Sequence, residues 1–256
     1  MQYYFLLLSL PPVSLQARPE LSFKEVMSMV LLNLSPADFE KVRMLLLPID
    51  LYNVKAIWMG EPLNDKGNFS EKELRESLLV QDESLPGYLL DFLDRYDKES
   101  DRLAYFPFLF ASLYSNQDLK GFLLEYYQFE RDLRLILTAL RAKKLGRNIV
   151  RELQFEDPLD PFVAFVLAQK DAEDFVPPRE FDDLKSLFME NNSQPEKLHR
   201  AILAYRFKKI GEMKDITSFS SDQVLIYMAQ FLIVDEYFSL DRKKGQIVVD
   251  ELSQYE

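Results

Sequence analysis

The chain has 256 residues, 48% hydrophobic and 13% aromatic, which excludes a disordered polymer and supplies a core for one sizeable domain or two small ones. It has no cysteine and one histidine, so disulfides, thiolate catalysis, Cys-ligated zinc and His-rich metal sites are excluded. A net charge of −11 argues against nucleic-acid binding and against a broad electrostatic membrane face, and seven glycines disfavour phosphate loops and turn-dense all-β folds.

The chain opens with MQYYFLLLSLPPVSLQA, residues 1–17. No Lys or Arg precedes Arg18, and Pro11-Pro12 end the short apolar stretch from Tyr3 to Leu10. A signal peptide needs a cationic start and a longer apolar run. The segment therefore reads as a buried native element, strand-like or extended.

Helix signals follow. Ser22–Glu25, Ser70–Glu73 and Ser193–Glu196 each place Ser three residues before Glu, the spacing of a capping box. Ser35-Pro36 and Asp160-Pro161 put a capping side chain before Pro in the first helical position. The pattern predicts helices over 22–33, 36–59 (kinked or broken at Pro48), 71–80, 87–98, 102–115, 118–145, 147–154, 161–170, 179–190, 194–210 and 221–239. In 118–145, Phe122, Tyr126, Phe129, Leu133, Ile136 and Leu140 form a seam, widened by Leu123, Tyr127 and Leu137. That is a central helix buried on more than one side.

Only the first ten residues and GQIVVDEL, residues 245–252, read as strand-like. No run reaches the ~18 apolar residues a membrane helix requires. LAYFPFLFASLY (Leu103–Tyr114) and VLIYMAQFLIV (Val224–Val234) read as core helices. The expectation is an all-α multi-helix bundle in the cell interior: a single helical protein over 1–256, with possible sub-bundles 1–115 and 116–256.

Chemistry-bearing patterns are sparse. His199 lies within a helix and reads as a surface or groove histidine. Asp97, Glu99 and Asp101, and the segment Asp65–Glu71, put acidic or amide groups at alternate positions but lack the Asp-x-Asp-x-Asn-Gly arrangement that wraps calcium, and Asp182-Asp183 is a carboxylate pair of the kind that can act as acid and base. They read as solvated acidic turns. No GxxxxGK[ST] or GxGxxG occurs. No cofactor is expected, and an enzyme built on these carboxylates or on His199 lacks a converging constellation. Basic groups at Arg141, Lys143, Lys144, Arg147 and Arg151, at Arg206, Lys208, Lys209 and Lys214, and at Arg242, Lys243 and Lys244 fall at expected helix ends, where cations complement the helix dipole.

Two segments are alike: DLRLILTALRAKKLG from Asp132 to Gly146, and KLHRAILAYRFKKIG from Lys197 to Gly211. They share Leu133/Leu198, Ala139/Ala204, Arg141/Arg206, two lysine pairs and Gly146/Gly211. Lys or Arg in a last turn followed by Gly is also what helix termination alone selects.

DLRLILTALRAKKLG resembles the "LRAK…G" helix ending that recurs in the C subunit (also called d) of vacuolar-type and archaeal-type ATP synthases. IDLYNVKAIWMG, Ile49–Gly60, is similar to that family's DLYNLK helix, with Asp50, Asn53 and Lys55 matching. Over nearly its full length the chain resembles an uncharacterised bacterial family encoded inside V-type ATP synthase operons. YYFLLLSLPPV, LSPADFEKVRMLL, LPGYLLDFLDRY, EYYQFERDLRLILTALRAKKLGRN and VLIYMAQFLIVDEYFSLDRKKG carry that likeness. The third copy departs from the pattern, with Lys197 and Arg200 where an Asp/Asn pair would stand.

The resemblance implies a non-enzymatic part of an ion-transporting complex, proton- or sodium-coupled, built from pseudo-symmetric helical repeats in an elongated, boomerang or funnel shape. Its partners would be the central stalk and the membrane rotor ring, holding it at the cytoplasmic membrane through protein contacts. Asp50, Asn53, Asp132, Arg141, Gly146, Arg206 and Gly211 would be structural residues of the repeated helix, not a binding site. A helical adaptor or assembly factor that binds such subunits, or other partners, transiently is the alternative.

Overall fold

The structure, a computed structural model, describes residues 3–115, 119–213 and 219–253, with side chains described up to Ser239. All regular elements among them are helical: an all-α multi-helix bundle without a β-strand. In chain order they are α1 (Tyr4–Ser9), α2 (Phe23–Asn33), α3 (Pro36–Met59), α4 (Glu71–Val80), α5 (Gly87–Arg95) and α6 (Glu99–Ser115). Then come α7 (Phe122–Lys144), α8 (Ile149–Glu152), α9 (Pro161–Leu167), α10 (Asp182–Asn191), α11 (Pro195–Glu212) and α12 (Ser221–Ser253), with a 3-10 turn at Arg179–Phe181. Expected elements and observed ones agree closely. The part of the expected helix at Asp118 and the basic residue Lys214 lie outside the described residues.

Both strand-like expectations fail. The N-terminal segment forms α1, whose Leu6 is buried while Phe5 and Leu8 are exposed. GQIVVDEL lies inside α12, which runs to Ser253 instead of ending near 239, so Arg242–Lys244 stand within a helix and not at its end. Extending an existing helix adds one backbone bond per residue without a new nucleus, which outweighs the preference of Ile247, Val248 and Val249 for strands.

The chain divides into two compact units, residues 1–41 with 178–256 and residues 42–177, with boundaries elsewhere than at 115/116. In the first, α10 packs on α11, α11 on α12, and α1 on α2. Val224, Leu225, Ile226, Met228, Phe231, Ile233 and Val234 of α12 are all buried there. Tyr3 ties the N-terminal segment to the start of α3. Its hydroxyl lies 3.3 Å from Ser35 Oγ, accepts from the Ser35 N–H at 3.2 Å and donates to the Asp38 carboxylate. Lys41 Nζ extends this network, donating to Asp38 Oδ1 at 2.8 Å and to Ser221 Oγ at 3.0 Å.

The second unit is organised around α7. Every residue of the expected seam and its widening, from Phe122 to Leu140, is buried, together with Leu135, Ala139 and Ala142. α8, α9 and α6 pack against this helix, and α5 packs on α6. Arg131 Nη2 holds Asp160 at 2.8 Å, and Arg134 Nη2 holds the buried Glu156 carboxylate at 2.6 Å. Asp160 also caps α9 through the N–H groups of Phe162 and Val163. Burial raises its proton affinity, but the Arg131 guanidinium and the two N–H donors outweigh that and hold it below the usual carboxylate range.

The capping boxes at Ser22–Glu25 and Ser70–Glu73 form with both reciprocal bonds. The third does not. Pro195 takes the first helical position of α11, which makes Gln194 the N-cap residue, and Ser193 Oγ donates to Asn192 Oδ1 at 3.2 Å instead. Pro48 does not break α3, which runs unbroken from Pro36 to Met59. Proline removes the N–H that would bond the carbonyl of Met44, four residues earlier. The hydroxyl of the buried Tyr127 donates to that carbonyl at 2.6 Å.

Candidate functional site

Asp50 and Asn53, the pair most like the C-subunit motif, meet in the second unit and face the loop between α3 and α4. Three residues apart on α3, they share a face of the helix, and both are buried, at 5% and 2% exposure. Asn53 and Asn64 exchange two bonds: Asn53 Nδ2 donates to the Asn64 carbonyl at 2.9 Å, and the Asn64 N–H donates to Asn53 Oδ1 at 2.8 Å. Asn53 thus mimics a backbone strand partner for a loop that has none. Asp50 holds the other end, accepting from the Asn68 N–H at 2.7 Å and from Asn68 Nδ2 at 2.5 Å. Asn68 Nδ2 also donates to the Arg43 carbonyl at 2.9 Å, and the Phe69 N–H adds a further bond to Asp50.

Gly67 lies flat against this clamp. A Cβ there would stand 2.5 Å from Asp50 Oδ1 and 2.9 Å from Asn53 Nδ2, so only glycine fits the loop so close. Burial pushes the Asp50 carboxyl up to about 6, against the lowering effect of the Asn68 and Phe69 hydrogen bonds and the Arg43 charge. The arrangement does one thing: it fixes the 60–69 loop to the middle of α3.

The other motif residues are not brought to this clamp. Asp132 lies on α7, 3.8 Å from Arg131 Nη1. Arg141 is exposed in the last turn of α7. Gly146 follows that helix at φ +62°. The Arg147 N–H bonds the Ala142 carbonyl at 2.8 Å and the Gly146 N–H bonds that of Lys143 at 3.2 Å, the pair of bonds that closes a helix on a left-handed glycine. Gly211 differs. It sits inside α11, which continues to Glu212, and a Cβ there would meet Gln230 Nε2 at 2.8 Å. That amide donates to the Phe207 carbonyl at 3.1 Å, so Gly211 admits a side chain of α12 and terminates nothing. The two similar endings therefore use their glycines for different purposes. Arg206 is half-buried on α11.

His199 Nε2 lies 3.0 Å from Glu236 Oε1, with 43% and 46% of the two side chains exposed, a solvated pair across α11 and α12. Glu99 and Asp101 lie in the first turn of α6, and Asp182 and Asp183 in the first turn of α10, where carboxylates complement the helix dipole. Asp65, Glu71 and Asp97 are exposed. Lys143 Nζ reaches back to the loop after α9, donating to the Lys170 carbonyl at 2.7 Å and to that of Ala172. Among the described residues no three His, Cys, Asp or Glu side chains are grouped to hold a metal ion, and no helix is long and apolar enough to cross a membrane.

Sequence reasoning missed the acceptors and donors that complete these contacts: Asn64, Gly67 and Asn68 for the clamp, Tyr127 for Met44, and Tyr3 for Asp38. Asn-Asp-Lys-Gly-Asn at 64–68 signals a turn. Nothing in it says which helix face the turn binds.

Known proteins resemble this chain along its whole length. An uncharacterized protein of Chlamydia muridarum (strain MoPn / Nigg) is 30% identical over 255 residues, covering 96% of each chain. An uncharacterized protein of Chlamydia trachomatis serovar D is 28% identical over 256 residues, covering 97% of this chain and 96% of the relative. A third, from Chlamydia pneumoniae, is 28% identical over 260 residues, covering 99% and 98%. No solved structure matches the chain significantly. The pattern that defines the family DUF2764, described as protein of unknown function, matches residues 1–255, and the chain belongs to that family.

Proposed function

We propose that this protein is a non-catalytic component of a V-type ATP synthase, C-subunit-like or accessory, that bridges the central stalk and the membrane rotor ring. The reading is supported first by the likeness of Ile49–Gly60 and Asp132–Gly146 to C-subunit helices. The observation that carries its non-catalytic part is the clamp. Both oxygens of Asp50 and both polar atoms of Asn53 are engaged by the chain's own loop. Residues used in this way hold a shape and are not presented to a substrate. A part that transmits force by packing needs such internal fixings.

Affinity purification of the tagged chain from its native cell, followed by mass spectrometry, tests the proposal. Stoichiometric recovery of stalk and ring subunits is the expected result. Recovery of an intact, coupled complex from cells lacking the chain would count against it. A transient adaptor or assembly factor is the second reading, favoured by the apolar side chains left exposed on α1 and α2, Phe5 at 82% and Leu32 at 84%. In that case the partner is recovered from assembling complexes and lost from mature ones.

A further inference from the structure

We propose that Pro48 is a locked hinge in α3, with the Tyr127 hydroxyl and the Asn68 amide as its bolts and the 60–69 loop as the part whose displacement frees it. The inference stands apart from any role in an ATP synthase.

Proline inside a helix removes one backbone bond and crowds the carbonyl four residues earlier, which makes a point of easy bending. α3 nevertheless runs unbroken from Pro36 to Met59. Just before the proline, two successive carbonyls take donors from other parts of the second unit. Asn68 Nδ2 donates to the Arg43 carbonyl at 2.9 Å, and the Tyr127 hydroxyl donates to the Met44 carbonyl at 2.6 Å. The Tyr127 bond replaces the one that Pro48 removes. The Asn68 bond goes further, since it holds a neighbouring carbonyl that the proline does not orphan.

The two bolts are seated differently. Tyr127 is 2% exposed, and its ring lies against those of Tyr114 and Tyr126, each at a centroid distance of 5.7 Å, so packing keeps its hydroxyl in place. Asn68 belongs to a surface loop in which Glu61, Pro62, Asn64 and Asp65 are exposed. Polar bonds attach that loop to α3, from Asn68 to the Arg43 carbonyl and the Asp50 carboxylate and between Asn64 and Asn53. A partner that lifts the loop withdraws the Asn68 bolt and leaves Tyr127 to hold the proline site.

The ends of α3 are fastened independently. Asp38 and Lys41 join Tyr3, Ser35 and Ser221 at one end, and Asp50 and Asn53 hold the loop toward the other. Between Lys41 and Val42, inside this helix, the chain passes from one compact unit to the other. Bending of α3 between its fastened ends therefore falls at the proline, and the bolts decide whether it occurs.

The chain has no cysteine, so a spin-label pair at Ala37→Cys and Met59→Cys, both exposed on α3, reads the spread of end-to-end distances in this helix. Protein with no other change should give a narrow distribution. Tyr127→Phe and Asn68→Ala should each broaden it. Both should return to the narrow width when Pro48→Ala is added, because alanine restores the N–H that bonds the Met44 carbonyl. General loosening of the fold would broaden the distribution with or without the proline. Amide exchange adds a readout that needs no variant: in the wild type the N–H groups of Ile49, Asp50 and Leu51 should be as protected as those of Val54, Lys55 and Ala56. In Tyr127→Phe the first three should lose protection by about ten-fold or more, the effect of one buried carbonyl left without its donor. A broad distribution in the otherwise unchanged protein, an unchanged width in Tyr127→Phe or Asn68→Ala, broadening that persists with Pro48→Ala, or weak protection of Ile49–Leu51 in the wild type would each overturn the proposal.

Discussion

The Tyr127 hydroxyl donates to the Met44 carbonyl at 2.6 Å, and Met44 is the residue whose carbonyl Pro48 leaves without a helical donor. One buried phenol on α7 thus repairs the defect that a proline makes in α3. Removing the hydroxyl leaves a buried acceptor unsatisfied, which costs about 1–3 kcal/mol. Tyr127→Phe should be destabilised by that amount in urea denaturation. Pro48→Ala restores the missing N–H, so the same Tyr127→Phe change should cost markedly less in that background. Equal costs in both backgrounds would contradict the repair.

Gly67, Gly146 and Gly211 are glycines for different reasons and predict different outcomes. Gly67→Ala forces a Cβ to 2.5 Å from Asp50 Oδ1, an overpacking cost of about 1–3 kcal/mol. Gly146→Ala must hold φ +62°, which costs about 1–2 kcal/mol. Gly211→Ala displaces only the end of the flexible Gln230, losing one hydrogen bond while gaining about 1 kcal/mol of helix propensity, so it should be nearly neutral. Thermal melts of the three variants check this order.

Helix capping gives a second graded series. Ser22→Ala and Ser70→Ala each remove a formed capping box and should cost about 1 kcal/mol. Ser193→Ala removes no cap, because Gln194 occupies that position, and should be within about 0.5 kcal/mol of the wild type. A Ser193→Ala cost equal to the other two would show that α11 begins one residue earlier.

Asp38 and Asp50 predict opposite pH dependences. Burial raises the proton affinity of Asp38, but hydrogen bonds from Lys41, Tyr3, Ser35 and Ser221 outweigh it and hold the carboxyl well below the usual range. A depressed carboxyl contributes stability that is present above its unfolded value of about 4 and lost as pH falls below it. Asp50 is raised to about 6, so its contribution grows as pH falls from there toward the unfolded value of about 4. Stability against pH for Asp38→Asn and Asp50→Asn, each compared with the wild type, should diverge in these two separate windows.

Helix positions and burial were legible because each rests on local or periodic signals. The seam from Phe122 to Leu140 fixes the buried face of α7 by spacing alone. Ser22, Ser70 and Asp160 mark helix starts through bonds made within three residues. What was not legible depends on contacts across the fold. Tyr127 lies 83 residues from Met44, and Asn68 lies 18 from Asp50, so no short pattern links them. Gly146 and Gly211 end similar segments, yet the second is fixed by Gln230 on another helix. Ser193 failed as a cap because Pro195 set the helix start.

We propose, as the central claim, that this chain works by gripping partner subunits and converts no substrate. Native mass spectrometry of the V-type ATP synthase purified through the tagged chain tests it most directly. A fixed stoichiometry of chain to stalk and ring subunits is predicted. A purified chain that carries none of those subunits, in cells whose ATP synthase is intact, would contradict it.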